Sequence, residues 1–180
     1  METRAVAVVE NTFFLLAEAF RYPAVGRHAA LEERFKNLPA SEPAIQKEAM
    51  QAFLDKTCCL SLGEWEELHT RTLDLNPPAA PYVGFQIWGE NYQRGVFLSG
   101  LNQELAEKNI DLEGELADHL IPVLRYLGQV EQPMPKLIEV LVPAIQRMRA
   151  VLFNADPGNP YLDLLEAAQM ACKQLKKEAA

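Results

Sequence analysis

Two short stretches carry residues with the spacing of metal or proton-transfer chemistry. Glu66-Glu67-Leu68-His69 has the Glu-x-x-His step, which sets a carboxylate and an imidazole one helical turn apart on the same face. Di-metal helical bundles need two such motifs and a glutamate on each of two further helices. No second copy occurs, because Glu115 is followed three residues on by Asp118 and not by a histidine. The other stretch is Asp118-His119. There the carboxylate could orient the imidazole for base catalysis, or cap a helix beside a locally bonded histidine. Read together, Glu66, His69, Asp118 and His119 would describe a helical metal-binding enzyme. No serine or cysteine nucleophile can be assigned beside Asp118-His119, and G-x-x-x-x-G-K-[ST], G-x-G-x-x-G and G-x-S-x-G are all missing from the sequence. The expectation is a protein that is not an enzyme and carries no metal or cofactor.

The segment from Leu68 to Leu127 has a different chemistry. Asp74-Leu75-Asn76-Pro77-Pro78-Ala79-Ala80-Pro81 holds three prolines, which cannot continue a helix and favour a semi-extended crossing. Tyr82, Phe85 and Trp88 follow, then Gly89-Glu90-Asn91-Tyr92-Gln93-Arg94-Gly95, in which two glycines at helix-breaking positions flank an acid and a base. Aromatic side chains on a stiff loop bury large area while losing little rotamer freedom, a good surface for a peptide. The carboxylates of Asp74, Glu90, Glu115 and Asp118 could receive arginines of such a ligand. Plainer readings stand beside this one: Phe85 and Trp88 as core, and Glu90 with Arg94 as an i,i+4 salt bridge.

The elements that must position these residues read as helices. Val6, Val9, Phe13, Leu16 and Phe20 recur at steps of three and four, predicting a first helix that ends near Pro23. Leu31, Phe35 and Leu38 mark a second, before Pro39. A third follows Ser41-Glu42-Pro43, with Ile45, Ala49, Ala52 and Phe53 as its buried stripe. Ser61-Leu62-Gly63-Glu64 matches a capping box that opens a fourth through Trp65 and Leu68. Phe97, Leu98, Leu101 and Leu105 carry the next, ending near Asn109. Asp118 can cap another, with Leu120, Val123, Leu124 and Leu127 inward. Leu137, Leu141, Ile145, Met148 and Leu152 define a longer one with Pro143 inside it. A turn cluster at 154–160 precedes a last helix with Leu162, Leu165, Cys172 and Leu175, whose Lys173, Lys176 and Lys177 suit a C-terminus. The fold class expected is all-α: one domain over 1–180, a helical bundle with a proline-rich crossing loop in its middle.

Bulk properties set the partner class. Hydrophobic residues make up 49% and charged residues 23% of 180 residues, an ordinary globular composition. A net charge of -8 is wrong for a phosphate backbone and suits a basic or apolar partner, so no nucleic acid is expected. No apolar run reaches the ~20 residues of a membrane span. Glu10 and Glu18 break the N-terminal apolar stretch, so the expectation is no signal peptide and a cytoplasmic protein. Cys58, Cys59 and Cys172 are an odd set without C-x-x-C spacing; they fit a reducing compartment and read as small apolar packing residues. Monomer and homodimer both stay open.

Thr72-Leu73-Asp74-Leu75, Gly89-Glu90 with Arg94-Gly95, and Glu115-Leu116-Ala117-Asp118-His119-Leu120 together resemble the nitrate reductase delta-subunit assembly chaperones. These belong to the redox-enzyme maturation proteins, which include the trimethylamine-oxide and dimethyl-sulfoxide reductase chaperones. Phe20-Arg21-Tyr22-Pro23 looks like that family's Leu-Glu-Tyr-Pro element, and Pro160-Tyr161-Leu162-Asp163-Leu164-Leu165 lies where its last core helix begins. The resemblance implies an all-helical cytoplasmic chaperone for the catalytic subunit of a molybdopterin oxidoreductase, as in nitrate assimilation or anaerobic respiration. Such a chaperone binds the client's N-terminal or leader peptide and supports cofactor insertion before membrane attachment or export. It also implies that Asp118 and His119 recognise that peptide, with Glu90 and Arg94 in a second family motif. The sequence departs from the family at Ala117, where proline is usual, and at Leu73, where an aromatic is common.

Overall fold

The computed structural model describes residues 11–39, 44–75 and 79–178, with backbone alone at 44–45 and 176–178. Expectations that rest on Val6, Val9, Ser41 to Pro43, the Ile45 side chain, Asn76 to Pro78, and the Lys176 and Lys177 side chains lie outside the described residues. The described residues form α-helices and no strands: α1 (Thr12–Ala19), α2 (Arg27–Lys36), α3 (Ala44–Thr57), α4 (Leu62–His69), α5 (Val83–Trp88), α6 (Tyr92–Glu107), α7 (Leu120–Gln129), α8 (Pro135–Ala155) and α9 (Tyr161–Glu178). The expected all-α bundle is what forms.

Helix α1 lies at the centre, against α7, α9 and α2. Leu15, Leu16, Ala17, Ala19 and Phe20 are all buried, so the helix is enclosed over most of its circumference, as expected of one apolar nearly all round. Asn11 sets its start: the side-chain oxygen accepts from the Phe13 and Phe14 N–H groups at 3.0 and 3.2 Å. The same side chain donates to the Gly128 carbonyl at 2.9 Å, which ties the cap of α1 to α7.

Around this axis α9 packs on α3 and α8, and α8 packs on α5. Tyr161 of α9 is buried; its hydroxyl accepts from Trp65 Nε1 at 3.2 Å and its ring meets Phe53 and His69. The expected apolar stripe of α8 is buried at Leu137, Leu141, Ile145, Met148 and Leu152, and the helix runs on through Pro143. Each such side chain contributes roughly 1.5–3 kcal/mol through its removal from water. Arg147 of α8 donates to the Gln86 carbonyl at 2.6 Å and so fixes α5 against the bundle.

Three local expectations need correction. The buried face of α3 is Gln46, Met50, Phe53, Leu54 and Thr57, with Ala49 and Ala52 at its edge. Small alanines satisfy a helical period without marking which neighbouring face is covered. Cys58 and Cys59, read as packing residues, are exposed just past the end of α3, whereas Cys172 is buried. Gly95, read as a helix breaker, lies inside α6, while Gly89 does terminate α5 with φ +61°.

The Ser61–Glu64 capping box is present in full. The serine hydroxyl accepts from the Glu64 N–H at 3.3 Å, and the Glu64 carboxylate accepts from the Ser61 N–H at 2.8 Å. Ser61→Ala is expected to lower stability by about 1 kcal/mol in urea unfolding, with the slope unchanged.

Candidate partner-binding site

Past α4 the helix widens into a π-helical turn at Thr70–Asp74, and the chain then crosses to α5. The end of that crossing is pinned by backbone. The Val83 N–H donates to the Asp118 carbonyl at 2.7 Å and the Leu120 N–H to the Pro81 carbonyl at 2.8 Å, which pairs Tyr82 with His119 in antiparallel sense. Two segments 37 residues apart, Tyr82 and His119, thus become neighbours (119 − 82).

Under this clamp lies an ion pair. Asp118 is 0% exposed, and its carboxylate accepts from Arg94 Nε at 3.0 Å, from Arg94 Nη2 at 3.3 Å and from the Gly84 N–H at 3.1 Å. Arg94 is carried inward by α6, with Phe97, Leu101 and Leu105 on the same face. Its guanidinium sits over the Tyr82 and Phe85 rings, 5.7 and 5.5 Å from their centroids. A two-pronged pair with a third donor satisfies the carboxylate, which a buried charge requires. Gly84 is necessary here: a Cβ at this position would lie 2.7 Å from Asp118 Oδ2 and 3.1 Å from Phe97 Cδ1.

His119 caps α7. Its Nδ1 accepts from the Ile121 N–H at 3.2 Å, so that nitrogen carries no proton and the ring is neutral. Burial holds its pKa below the usual imidazole value, against the pull of Glu115, Asp118 and Asp74. Its ring meets Tyr82 edge to face at 5.0 Å. The Tyr82 hydroxyl donates to Glu115 at 2.6 Å; burial and this carboxylate both push its pKa up, so it stays a donor. His69 also lies at this end, with Nε2 bonded to the Phe20 carbonyl at 3.1 Å and Nδ1 3.8 Å from the Asp74 carboxylate. Burial likewise lowers the His69 pKa.

No family model matches this chain, and no curated protein sequence matches it.

Of the residues predicted to bind a partner, Tyr82, Phe85, Glu90, Arg94, Glu115, Asp118 and His119 come together. Asp74 stands beside His69 and within electrostatic reach of His119. Trp88 is half-buried at the far end of α5 against Phe97, with Lys136 over its ring. Two assignments change. Asp118 neither caps α7 nor offers a free carboxylate, since Arg94 and Gly84 occupy both its oxygens. The helical pair Glu90–Arg94 is a loose 3.5 Å contact to a glutamate 86% exposed, and Glu90 precedes the helix. Glu66, His69, Asp118 and His119 do not assemble: among the described residues no three or more His, Cys, Asp or Glu side chains could hold a metal ion.

The sequence reading missed Gly84 and four apolar side chains in the same stretch. Leu75, Tyr92, Val96 and Leu116 are all at least half exposed. A glycine inside the helical run Val83-Gly84-Phe85 is a signal of close approach. Exposure of single leucines carries no such signal.

Asp118→Ala strands a buried guanidinium and is expected to cost about 3–5 kcal/mol in urea unfolding. Gly84→Ala is expected to cost about 1–3 kcal/mol by overpacking the same pair. Both variants keep far-UV helicity under native conditions if the fold survives.

The two buried histidines set a pH dependence. Their folded pKa values lie below the unfolded value, so the unfolded chain takes up protons first as the medium is acidified. Their contribution is fully present above the ordinary histidine range and is lost as pH falls below about 6.5. Urea midpoints should therefore drop between about pH 7.5 and pH 5.5, and the drop should shrink in His119→Asn, which can still cap Ile121 but does not titrate.

Proposed function

We propose that this chain is a polypeptide-binding assembly chaperone for the catalytic subunit of a molybdopterin oxidoreductase. It acts in the cytoplasm on the client's N-terminal or leader peptide before membrane attachment or export. One observation carries the binding part. Beside a sealed Arg94–Asp118 pair stand the solvent-accessible carboxylates Asp74, Glu90 and Glu115, and the same stretch of sequence exposes the apolar side chains Leu75, Tyr92, Val96 and Leu116. The composition suits a segment with apolar anchors and arginines, the first desolvated on the leucines and tyrosines, the second paired to the acids. The molybdenum client comes from the resemblance of the Gly89-to-Gly95 and Glu115-to-Leu120 motifs to the reductase chaperones.

His119 and Asp118 act here as positioning residues. They hold Tyr82 and Glu115 at the surface, and the ligand meets those outer groups.

The test is calorimetric titration with the N-terminal peptide of a molybdopterin subunit encoded beside this chain. Asp74→Asn combined with Glu115→Gln is expected to weaken binding at least tenfold, with an unchanged urea midpoint. Replacing the peptide's arginines by norleucine should give a loss of the same order. Equal affinity for all four combinations would remove the site, and no binding to the wild-type chain would remove the client assignment.

A further inference from the structure

At the end of α3, two thiols face one another. Cys58 Sγ and Cys59 Sγ are 3.3 Å apart, both exposed, on a turn held firmly from each side. On the α3 side the Cys58 N–H donates to the Leu54 carbonyl at 2.9 Å, and the Thr57 hydroxyl bonds back to Phe53. On the other side the Leu60 N–H donates to the Thr57 carbonyl, and Ser61 opens the capping box of α4. The turn therefore presents the pair as a preformed dithiol. The S–H···S contact, then desolvation and the nearby Asp55 and Glu32 carboxylates, raise the Cys58 pKa, so that thiol is not set up as a lone nucleophile.

What two such thiols can bind follows from their separation. A disulfide needs Cα atoms about 4.4–6.8 Å apart, whereas neighbours across a trans peptide stand about 3.8 Å apart. A bridge between adjacent residues is thus strained and easily reduced, and the pair persists as free thiols in a reducing compartment. A linear two-coordinate ion would need the sulfurs on opposite sides of it. Tetrahedral zinc, with Zn–S bonds of about 2.3 Å, holds two thiolates roughly 3.8 Å apart, and it wants four ligands. A pyramidal centre with bonds of similar length at nearly right angles spans roughly 3.3 Å and takes two or three sulfurs. Among the described residues no third His, Cys, Asp or Glu ligand completes a metal site here.

We propose that Cys58 and Cys59 form a capture site for a soft trivalent metalloid, with arsenic(III) as the chemical type. In the binding step each sulfur forms one bond to the metalloid. The oxygen it carried leaves as water together with both thiol protons, and no oxidation state changes. Cys172, buried and with its pKa pushed up by that burial, takes no part.

The probe is phenylarsine oxide, added to the full chain while free thiols are counted with a chromogenic disulfide. One equivalent is expected to remove two thiols. The adduct should survive excess glutathione and be reversed by a small dithiol such as 2,3-dimercaptopropanol. Cys58→Ser and Cys59→Ser should each weaken binding at least a hundredfold, while Cys172→Ser changes nothing. The urea midpoints of the single variants report whether the fold is intact. Wild-type affinity in either single variant, or a Cys172 dependence, would overturn the proposal. So would competition in which equimolar zinc displaces the arsenical.

Discussion

The buried pair of Arg94 and Asp118 is the constraint on which the middle of this protein depends. A carboxylate with no solvent exposure is tolerable only with its oxygens filled, and here three donors from two elements fill them. That requirement draws α6, the start of α5 and the segment before α7 to one point. Gly84 is required at the closest approach, Tyr82 is pinned opposite His119, and α7 starts where His119 caps it. Apolar packing alone could slide by a residue at these helix ends; a two-pronged ion pair with a third donor cannot.

Much of this was legible in the sequence, for reasons that differ by element. Helices α7 and α8 carry strong apolar periodicity, and Leu120, Val123 and Leu124 are buried as expected. The Ser61–Glu64 box could be read letter by letter because its bonds are local. The face of α3 was misjudged because alanines mark a helix without marking its buried side. Cys58 and Cys59 read as small apolar packing residues because their spacing suits neither a disulfide framework nor a C-x-x-C site, yet they follow the last turn of α3 and are exposed.

The site shows the same division. Tyr82, Glu90, Arg94, Glu115, Asp118 and His119, singled out in the sequence, converge in the fold. Their roles were not readable. Which carboxylate faces solvent and which is consumed inside depends on the pairing of Pro81 to Val83 with Asp118 to Leu120, a contact between distant segments. Asp118 is therefore consumed inside the fold, and under the proposed role a ligand would meet Asp74, Glu115 and the exposed apolar side chains instead. Positioning and contact are then borne by different residues, so stability and affinity should respond to different substitutions.

A double-mutant cycle on Arg94→Met and Asp118→Leu, followed by urea unfolding, reads the central pair directly. Each single change leaves one buried charge without its partner, whereas the double change removes both charges and leaves apolar groups of similar size. The account predicts that the double variant is more stable than Asp118→Leu alone, with a coupling of about 2 kcal/mol or more. Additive losses, with no coupling between the two positions, would show that the pair does not organise this region.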